Sequence, residues 1–588
     1  MLFCSILYHR CLSGLLIIPI FILLTITTSA QSSHDPPDPH ERISTQVLRA
    51  AARLQQGDDG QLQSDPLSLP GSIQISAEGE IGVEVRINGS TATAAAAIAS
   101  LGIRVGDYSE AFPLISAWPY PDQLAALAAL PMVIYIDPLV MPLIRTGSVV
   151  SQGDSILRAD EVRRTFELSG AGVRVGVISN GVDTLVAGQS TGDLPPDCPT
   201  ELPPDPTSCL VVDPRRRGMG DEGRAMLEII HDLAPGAILG FSSGIQGITG
   251  FVGAIDFLHH EFQADVIVDD VGYLNEPFFE DGIISIRAQQ AVDAGVVFIS
   301  SAGNDAQRHY QAVLNLPAGC PTGVKRQCLH QFAPGDTTQR FTLQPGQTIR
   351  VVLQWDNPFG AAADDLDLYL LEGDTELASA TERQHLTRRP LEIMPLYTNQ
   401  TGRIQQVDLV VDAIMLNSGT TPLIEMFFIT ESSAEYITNA DSIFGHPAVP
   451  DVLTIGAVPA HDPTRIQPYS SRGPVTISHP LPETRAKPDL VATDCVRTSV
   501  PGFQVFCGTS AAAPHVAALA ALILEAEPEA TPARVRMLLQ RNAVYPRSPG
   551  FDMTYGAGLT DAIQSLNDSR AMPAPDTIFL PLIMKLVP

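Results

Sequence analysis

GAGVRVGVIS, residues 170–179, is a run of small and apolar residues broken only by Arg174. Continuous apolar runs of this kind are the mark of a strand buried on both faces of a parallel sheet. The pattern returns in GAILGFSS (236–243), ADVIVDDVGY (264–273) and AGVVFISSAGN (294–304). Between these runs stand stretches of helical character: DEGRAMLEIIHDLAPGA (221–237), GITGFVGAIDFLHHEF (247–262) and ISIRAQQAVDAG (284–295). The alternation predicts an α/β fold, a doubly wound, mainly parallel sheet with its functional residues at the carboxyl ends of the strands.

Around this block the rhythm changes. From about 331 to 435 the segments FTLQPGQTIRVVLQWDNP, DLDLYLLEG, RIQQVDLVVDAIML and PLIEMFFIT read as strands joined by polar turns, an inserted β-sandwich. The α/β pattern resumes at VPDVLTIGAV, so the main domain is expected over 160–330 and 436–566, with a tail at 567–588. Residues 71–140 alternate strands and amphipathic helices as a small α+β unit, and 31–70, rich in Gln, Ser, Asp and Pro, read as a linker. Trp355 and the acidic DDLDLYL at 364–370 offer the insertion a ligand face for sugar or calcium. The alternation of that stretch is also that of any half-buried strand, and this structural reading is preferred.

Length and charge bound the rest. A chain of 588 residues exceeds one core, and 36 basic against 65 acidic residues give a net charge of −29, which argues against nucleic acid or an anionic membrane as partner. Arg10 precedes an apolar run, 12–30, ending in Ser29-Ala30, the order of a signal peptide; an uncleaved anchor is the alternative. Secretion or cell-surface placement is therefore expected, with no membrane span left after cleavage. Of the eight cysteines, Cys4 and Cys11 lie in the segment expected to be removed, and the other six fall in close pairs, Cys198 with Cys209, Cys320 with Cys328, and Cys495 with Cys507. Three short-loop disulfides are the reading, although six cysteines allow fifteen pairings; no C-x-x-C supports zinc. No cofactor is expected, structural calcium stays open, and the chain is read as a monomer.

GTSAAAPHVA (508–517) places Ser510 at the start of a helix, with Pro514 expected in its first turn. A lone serine there is most often only a cap. Here the surrounding motif resembles the nucleophile segment GTSxAxPHVAG of the subtilisin-like serine proteases. SSAGN (300–304), VLTIGAV (452–458), YSSRGP (469–474), KPDLVA (487–492) and YGAGLTDA (555–562) follow in that family's order. The resemblance covers roughly 165–310 and 440–565. It implies a peptidase acting on proteins or peptides, with Ser510 as nucleophile and Asn304 as oxyanion donor. It also implies that 71–138 is an inhibitory propeptide.

The chain departs from the family at the other two triad positions. The family's Asp-Thr-Gly or Asp-Ser-Gly after the first buried strand is replaced by Ser179-Asn180-Gly181, with Asp183 beyond the turn, and the usual histidine corresponds to Glu222. This resembles the sister family, the sedolisins, in which a Glu takes the place of the His and works with an Asp at acidic pH. Two carboxylates sharing one proton satisfy that chemistry. Among Asp221, Glu228 and Asp270, Asp270 is favoured, because the alignment of ADVIV and Gly272 sets it beside the cleft. Glu228 points elsewhere round the helix, and Asp269 faces opposite by strand alternation. His515 belongs to the family's structural PHVA turn, and His231 falls past the catalytic position. The resulting expectation is a secreted serine endopeptidase using Ser510, Glu222, Asp270 and Asn304; an inactive relative that binds peptide is the alternative.

Overall fold

A computed structural model describes residues 42–55, 73–76, 78–109, 112–139, 143–144, 151–199, 208–544 and 550–571. The expected signal peptide and the tail beyond 571 lie outside the described residues.

The N-terminal unit begins with helix α1 (Thr45–Gln55), inside the stretch read as a linker. Polar flanks hide it in the sequence, but Val47, Ala50 and Ala51 form one buried stripe. They pack on an antiparallel sheet of β1 (Val83–Ile87), β2 (Arg104–Ser109), β3 (Phe112–Trp118) and β4 (Val133–Pro138), in the order β2-β3-β1-β4. Helix α2 (Thr91–Ser100) is alanine-rich and begins at Ser90, whose side chain accepts from the Thr93 N–H. Helix α3 (Leu124–Ala128) completes that core, and strand β5 (Leu143–Ile144) follows.

The parallel sheet forms as the apolar runs predict. Its strands are β6 (Arg174–Ser179), β7 (Leu210–Val212), β8 (Ile238–Ser243), β9 (Val266–Asp269), β11 (Val297–Ser301), β21 (Leu453–Pro459) and β24 (Leu490–Asp494), ordered β24-β21-β11-β9-β6-β8-β7. Every neighbouring pair in it runs parallel. The chain winds outward from β6 to β7 and β8, then crosses back to β9 on the other side of β6, so the order reverses between β6 and β9. Such a reversal opens a crevice at the carboxyl ends of those two strands. A two-residue strand β10 (Val271–Gly272) continues past β9 and pairs antiparallel with β5, Val271 opposite Ile144 and Gly272 opposite Leu143. Helices α4 (Glu222–Leu233), α5 (Gly247–Asp256) and α6 (Ile283–Asp293) lie between strands. The long helix α7 (Thr509–Ala526) crosses the core and packs on α4, β9, β11, β21 and β24. Among the described residues it alone is long and apolar enough to cross a membrane, and it is buried inside the protein.

Between β11 and β21 the chain builds two antiparallel sheets. One takes β12 (His309–Val313), β14 (Thr348–Trp355), β17 (Leu391–Ile393) and β20 (Leu423–Thr430) in the order β12-β20-β14-β17, with β18 (Tyr397–Thr398) also on β14. The other takes β13 (Gln339–Leu343), β15 (Asp365–Glu372), β16 (Thr375–Ala380) and β19 (Gln405–Met415) in the order β13-β19-β15-β16. A hairpin of β22 (Val475–Ile477) and β23 (Glu483–Arg485) lies beyond the insertion. Its first strand, β12, precedes the expected start at 331, so the α/β pattern stops soon after β11. Trp355 is wholly buried in the core shared by the two sheets, with Leu366, Leu368 and Leu370, and forms no ligand face. Asp364 accepts from the N–H groups of Asn417 and Ser418 and braces a turn. The outer face of the first sheet, with Val352, Leu391, Ile393 and Phe427, packs on Leu274, Phe278 and Phe279, directly after β10. The three disulfides read from the sequence are present, Cys198–Cys209, Cys320–Cys328 and Cys495–Cys507.

Candidate active site

Every candidate residue lies at the carboxyl end of the parallel sheet or on a helix that begins there. Asn180 follows β6, Asp270 follows β9, Asn304 stands three residues beyond β11, and Glu222 and Ser510 open α4 and α7. Glu222, Asp270 and Ser510 are fully buried, whereas Asn304 is partly exposed.

Two sets of hydrogen bonds fix the segments that carry Glu222, Asn304 and Ser510. In the first, the Glu222 N–H donates to Asn180 Oδ1 at 3.0 Å. The loop that brings Glu222 there needs glycines: Gly218 has φ +71° and a Cβ would stand 1.8 Å from the Asn180 carbonyl, while Gly220 has φ +91° against the Asn180 amide. Asn180 therefore pins the start of α4, a role that its lack of a carboxylate concealed in the sequence. In the second set, Asn304 Oδ1 accepts from the Thr509 N–H at 3.1 Å and from Thr509 Oγ1 at 3.2 Å. The Gly303 N–H donates to Thr509 Oγ1 at 3.1 Å. The oxygen of the Asn304 amide is thus engaged by Thr509, the residue immediately before Ser510. Asp494 Oδ2 accepts from the Gly508 N–H at 2.7 Å, two residues before the serine, and also from Tyr469 Oη. This anchor, next to the Cys495–Cys507 bridge, carries no family-independent signal in the sequence. Asp494 and the two cysteines are the only described cluster of metal-ligand type, and both sulfurs are consumed in the disulfide.

The acids set aside in the sequence have other work. Asp221 Oδ1 accepts from the Thr184 N–H at 2.7 Å, and Asp183 Oδ2 from the Gly220 N–H at 2.8 Å, so both brace the loops beside Asn180. Glu228 accepts from the Ser499 N–H at 2.7 Å and pairs with Arg224 at 2.9 Å. Asp269 faces away from the crevice: its Oδ1 accepts from Ser300 Oγ at 3.0 Å and lies 2.9 Å from His446 Nε2. His446 Nδ1 is 3.1 Å from Glu276 Oε1. Burial alone would lower the pKa of this imidazole, but the carboxylates of Asp269 and Glu276 outweigh burial and hold it at about 10. The result is a buried carboxylate–imidazolium–carboxylate bridge under β9.

Neither histidine near the motifs reaches the site as a base. His515 Nδ1 bonds the Ala511 carbonyl at 2.7 Å and its Nε2 bonds Ser151 Oγ. Burial pushes its pKa down to about 4, which keeps it neutral. His231 lies near the far end of α4, with its pKa lowered by burial. Pro514 sits sixth in α7, deeper than the first turn, because the helix starts at Thr509; the Ser510 carbonyl accordingly receives no N–H from it.

Residues 417–558 match the sequence profile of the subtilase family. The subtilisin-like protease SBT1.9 of Arabidopsis thaliana is 24% identical over 315 residues, which are 49% of this chain and 40% of that protein. The chain thus spans about two fifths of the length of that relative. Among solved structures, the CspB protease of Clostridium perfringens is 15% identical, covering 70% of this chain and 98% of its own, with a TM-score of 0.46. MycP1 of Mycobacterium smegmatis is 17% identical, covering 76% and 94%, with a TM-score of 0.37.

Proposed function

We propose that the protein is a serine peptidase of the subtilase kind, an endopeptidase exported as a preproprotein and carrying a carboxylate where its relatives carry histidine. The observation that bears most weight is the bond from Thr509 N–H to Asn304 Oδ1. It sets a side-chain amide beside a serine at the positive end of an 18-residue helix, which is the equipment an oxyanion needs. The subtilase match over 417–558 includes that serine and supports the same reading.

In this mechanism Ser510 Oγ attacks the scissile carbonyl carbon while its proton passes to the Glu222 carboxylate. The Asn304 amide and the Ser510 N–H hold the oxyanion. Glu222 then returns the proton to the leaving amine, the C–N bond breaks, and an acyl-serine remains for water to hydrolyse by the same steps. Asp270 shares the proton with Glu222, and Asn180 holds the backbone of Glu222 in place. Such a pair works with one proton retained, so activity should rise below about pH 6.

The N-terminal unit acts as the propeptide in this reading, and the two sheets of the insertion as a sandwich domain. Strand β5 lies on β10, the edge that an incoming peptide would occupy by strand addition. In this reading the N-terminal unit, lying on that edge, keeps the enzyme latent. Three disulfides fit an oxidising, extracytoplasmic destination. The test is Ser510→Ala: cleavage between β5 and Ser151 and casein hydrolysis should both vanish, and their persistence would refute the assignment.

A further inference from the structure

The N-terminal unit is held in two separate places. On the parallel-sheet body, β5 pairs with β10, Gln74 Nε2 donates to the Ile245 carbonyl at 3.0 Å, Glu84 accepts from the Thr249 N–H at 3.4 Å, and Asp107 pairs with Arg216. On the insertion, Glu382 serves as an acceptor at the start of α1. Its Oε1 takes the Thr45 N–H at 2.9 Å, Ser44 Oγ at 3.3 Å and Thr45 Oγ1, and its Oε2 takes Tyr135 Oη at 3.3 Å. Arg389 pairs with Asp137, whose side chain is only 4% exposed and which also meets Arg86 at 3.2 Å. Gln46 Nε2 donates to the Ile393 carbonyl at 2.8 Å, and Arg49 Nη1 to the Ser379 carbonyl at 2.9 Å.

We infer that the insertion is a retention clamp for the N-terminal unit, keeping it bound after the chain between β5 and Ser151 is cut. The cut itself rests on the reading under Proposed function. While the chain is whole, the tether keeps the two parts at an effective concentration on the order of millimolar; once it is hydrolysed, only non-covalent contacts remain. The contact on β10 is the one that substrate competes for, since both use the same strand edge. The contacts on Glu382, Ser379, Arg389 and Ile393 use no cleft residue, so substrate cannot displace them. A carboxylate at a helix N-terminus and a buried Arg–Asp pair are also the charge-assisted kind of bond that holds an orientation. The product is a two-piece latent complex, in which β5 can leave the cleft while its unit stays docked.

The test uses the full chain with Ser510→Ala and a site-specific protease sequence in place of 145–150, cut by that added protease. Gel filtration then follows the N-terminal fragment. The parent should stay associated, and Glu382→Ala with Arg389→Ala should release the fragment at least tenfold faster. Gln46→Ala with Arg49→Ala, on partly exposed side chains of the N-terminal unit whose loss does not threaten folding, should speed release in the same direction. A parent that falls apart on cutting, or variants that release no faster than the parent, would overturn the clamp. Because the cut is external, neither result depends on Ser510 being active. A clamp that holds in a wild-type chain that never cuts itself would sink the peptidase reading alone.

Discussion

Raising the pH from 5 to 7.5 should loosen the N-terminal unit through one carboxyl group, Glu84. It sits on β1, buried against the start of α5, where it accepts from Thr249 N–H. Burial, and then the Asp137 carboxylate directly across the β1–β4 ladder, lift its pKa from 4.5 to about 7. The N–H groups of Thr249 and Ile248 and the Arg86 guanidinium pull the other way without cancelling that rise. Arg389, on the insertion, is the remaining charged group at Asp137. When the unit leaves, Glu84 meets water and returns toward its ordinary value. The docked state therefore binds a proton that the free state lacks between pH 4.5 and 7. Docking is strongest below 4.5 and weakens until the pH passes 7. A rise of that size corresponds to a ceiling of roughly 300-fold in the docking equilibrium, or between about 3 and 4 kcal/mol. The assay is fragment release from the externally cut Ser510→Ala chain at pH 5 and pH 7.5, beside the same chain with Glu84→Gln. The amide cannot titrate, so its release should change at least tenfold less across that range. An unchanged pH slope in Glu84→Gln would refute the reasoning.

Two further outcomes follow from the site. Asn304→Ala should lower kcat by about 10²- to 10³-fold with KM little changed, if its amide serves the oxyanion; steady-state peptide hydrolysis measures both. His446→Ala should destabilise the fold by about 3–5 kcal/mol in denaturant titration, because it strands the buried Asp269 and Glu276. The imidazole is held at about 10, so its contribution is complete below pH 6.5 and fades as the pH climbs to 10, and the gap between wild type and variant should narrow over that range.

The parallel sheet was legible because its strands are buried on both faces and therefore spelled in unbroken apolar runs, as in Val175 to Ile178. Glu222, Asp270, Asn304 and Ser510 were named as candidates through the resemblance to the subtilisin-like and sedolisin motifs; the apolar runs and helix starts beside them indicated only where they would stand. Helix α1 was not legible, since only Val47, Ala50 and Ala51 mark its buried face and its polar contacts come from residues far along the chain, Ser379, Glu382 and Ile393. The first strand of the insertion was missed because His309–Val313 is short and has a half-exposed end. Asn180 was judged by what an amide cannot do for an imidazolium, whereas its structural work is to accept the Glu222 N–H. That bond depends on a loop whose glycines say nothing of their partner.

The most direct measurement is the pH–rate profile of peptide hydrolysis by the chain freed of its N-terminal unit, for wild type, Glu222→Gln and Ser510→Ala. The account predicts a wild-type rate that climbs below about pH 6, a loss of at least 10²-fold in Glu222→Gln, and none of this hydrolysis in Ser510→Ala. A Glu222→Gln enzyme with the wild-type rate and profile would contradict it.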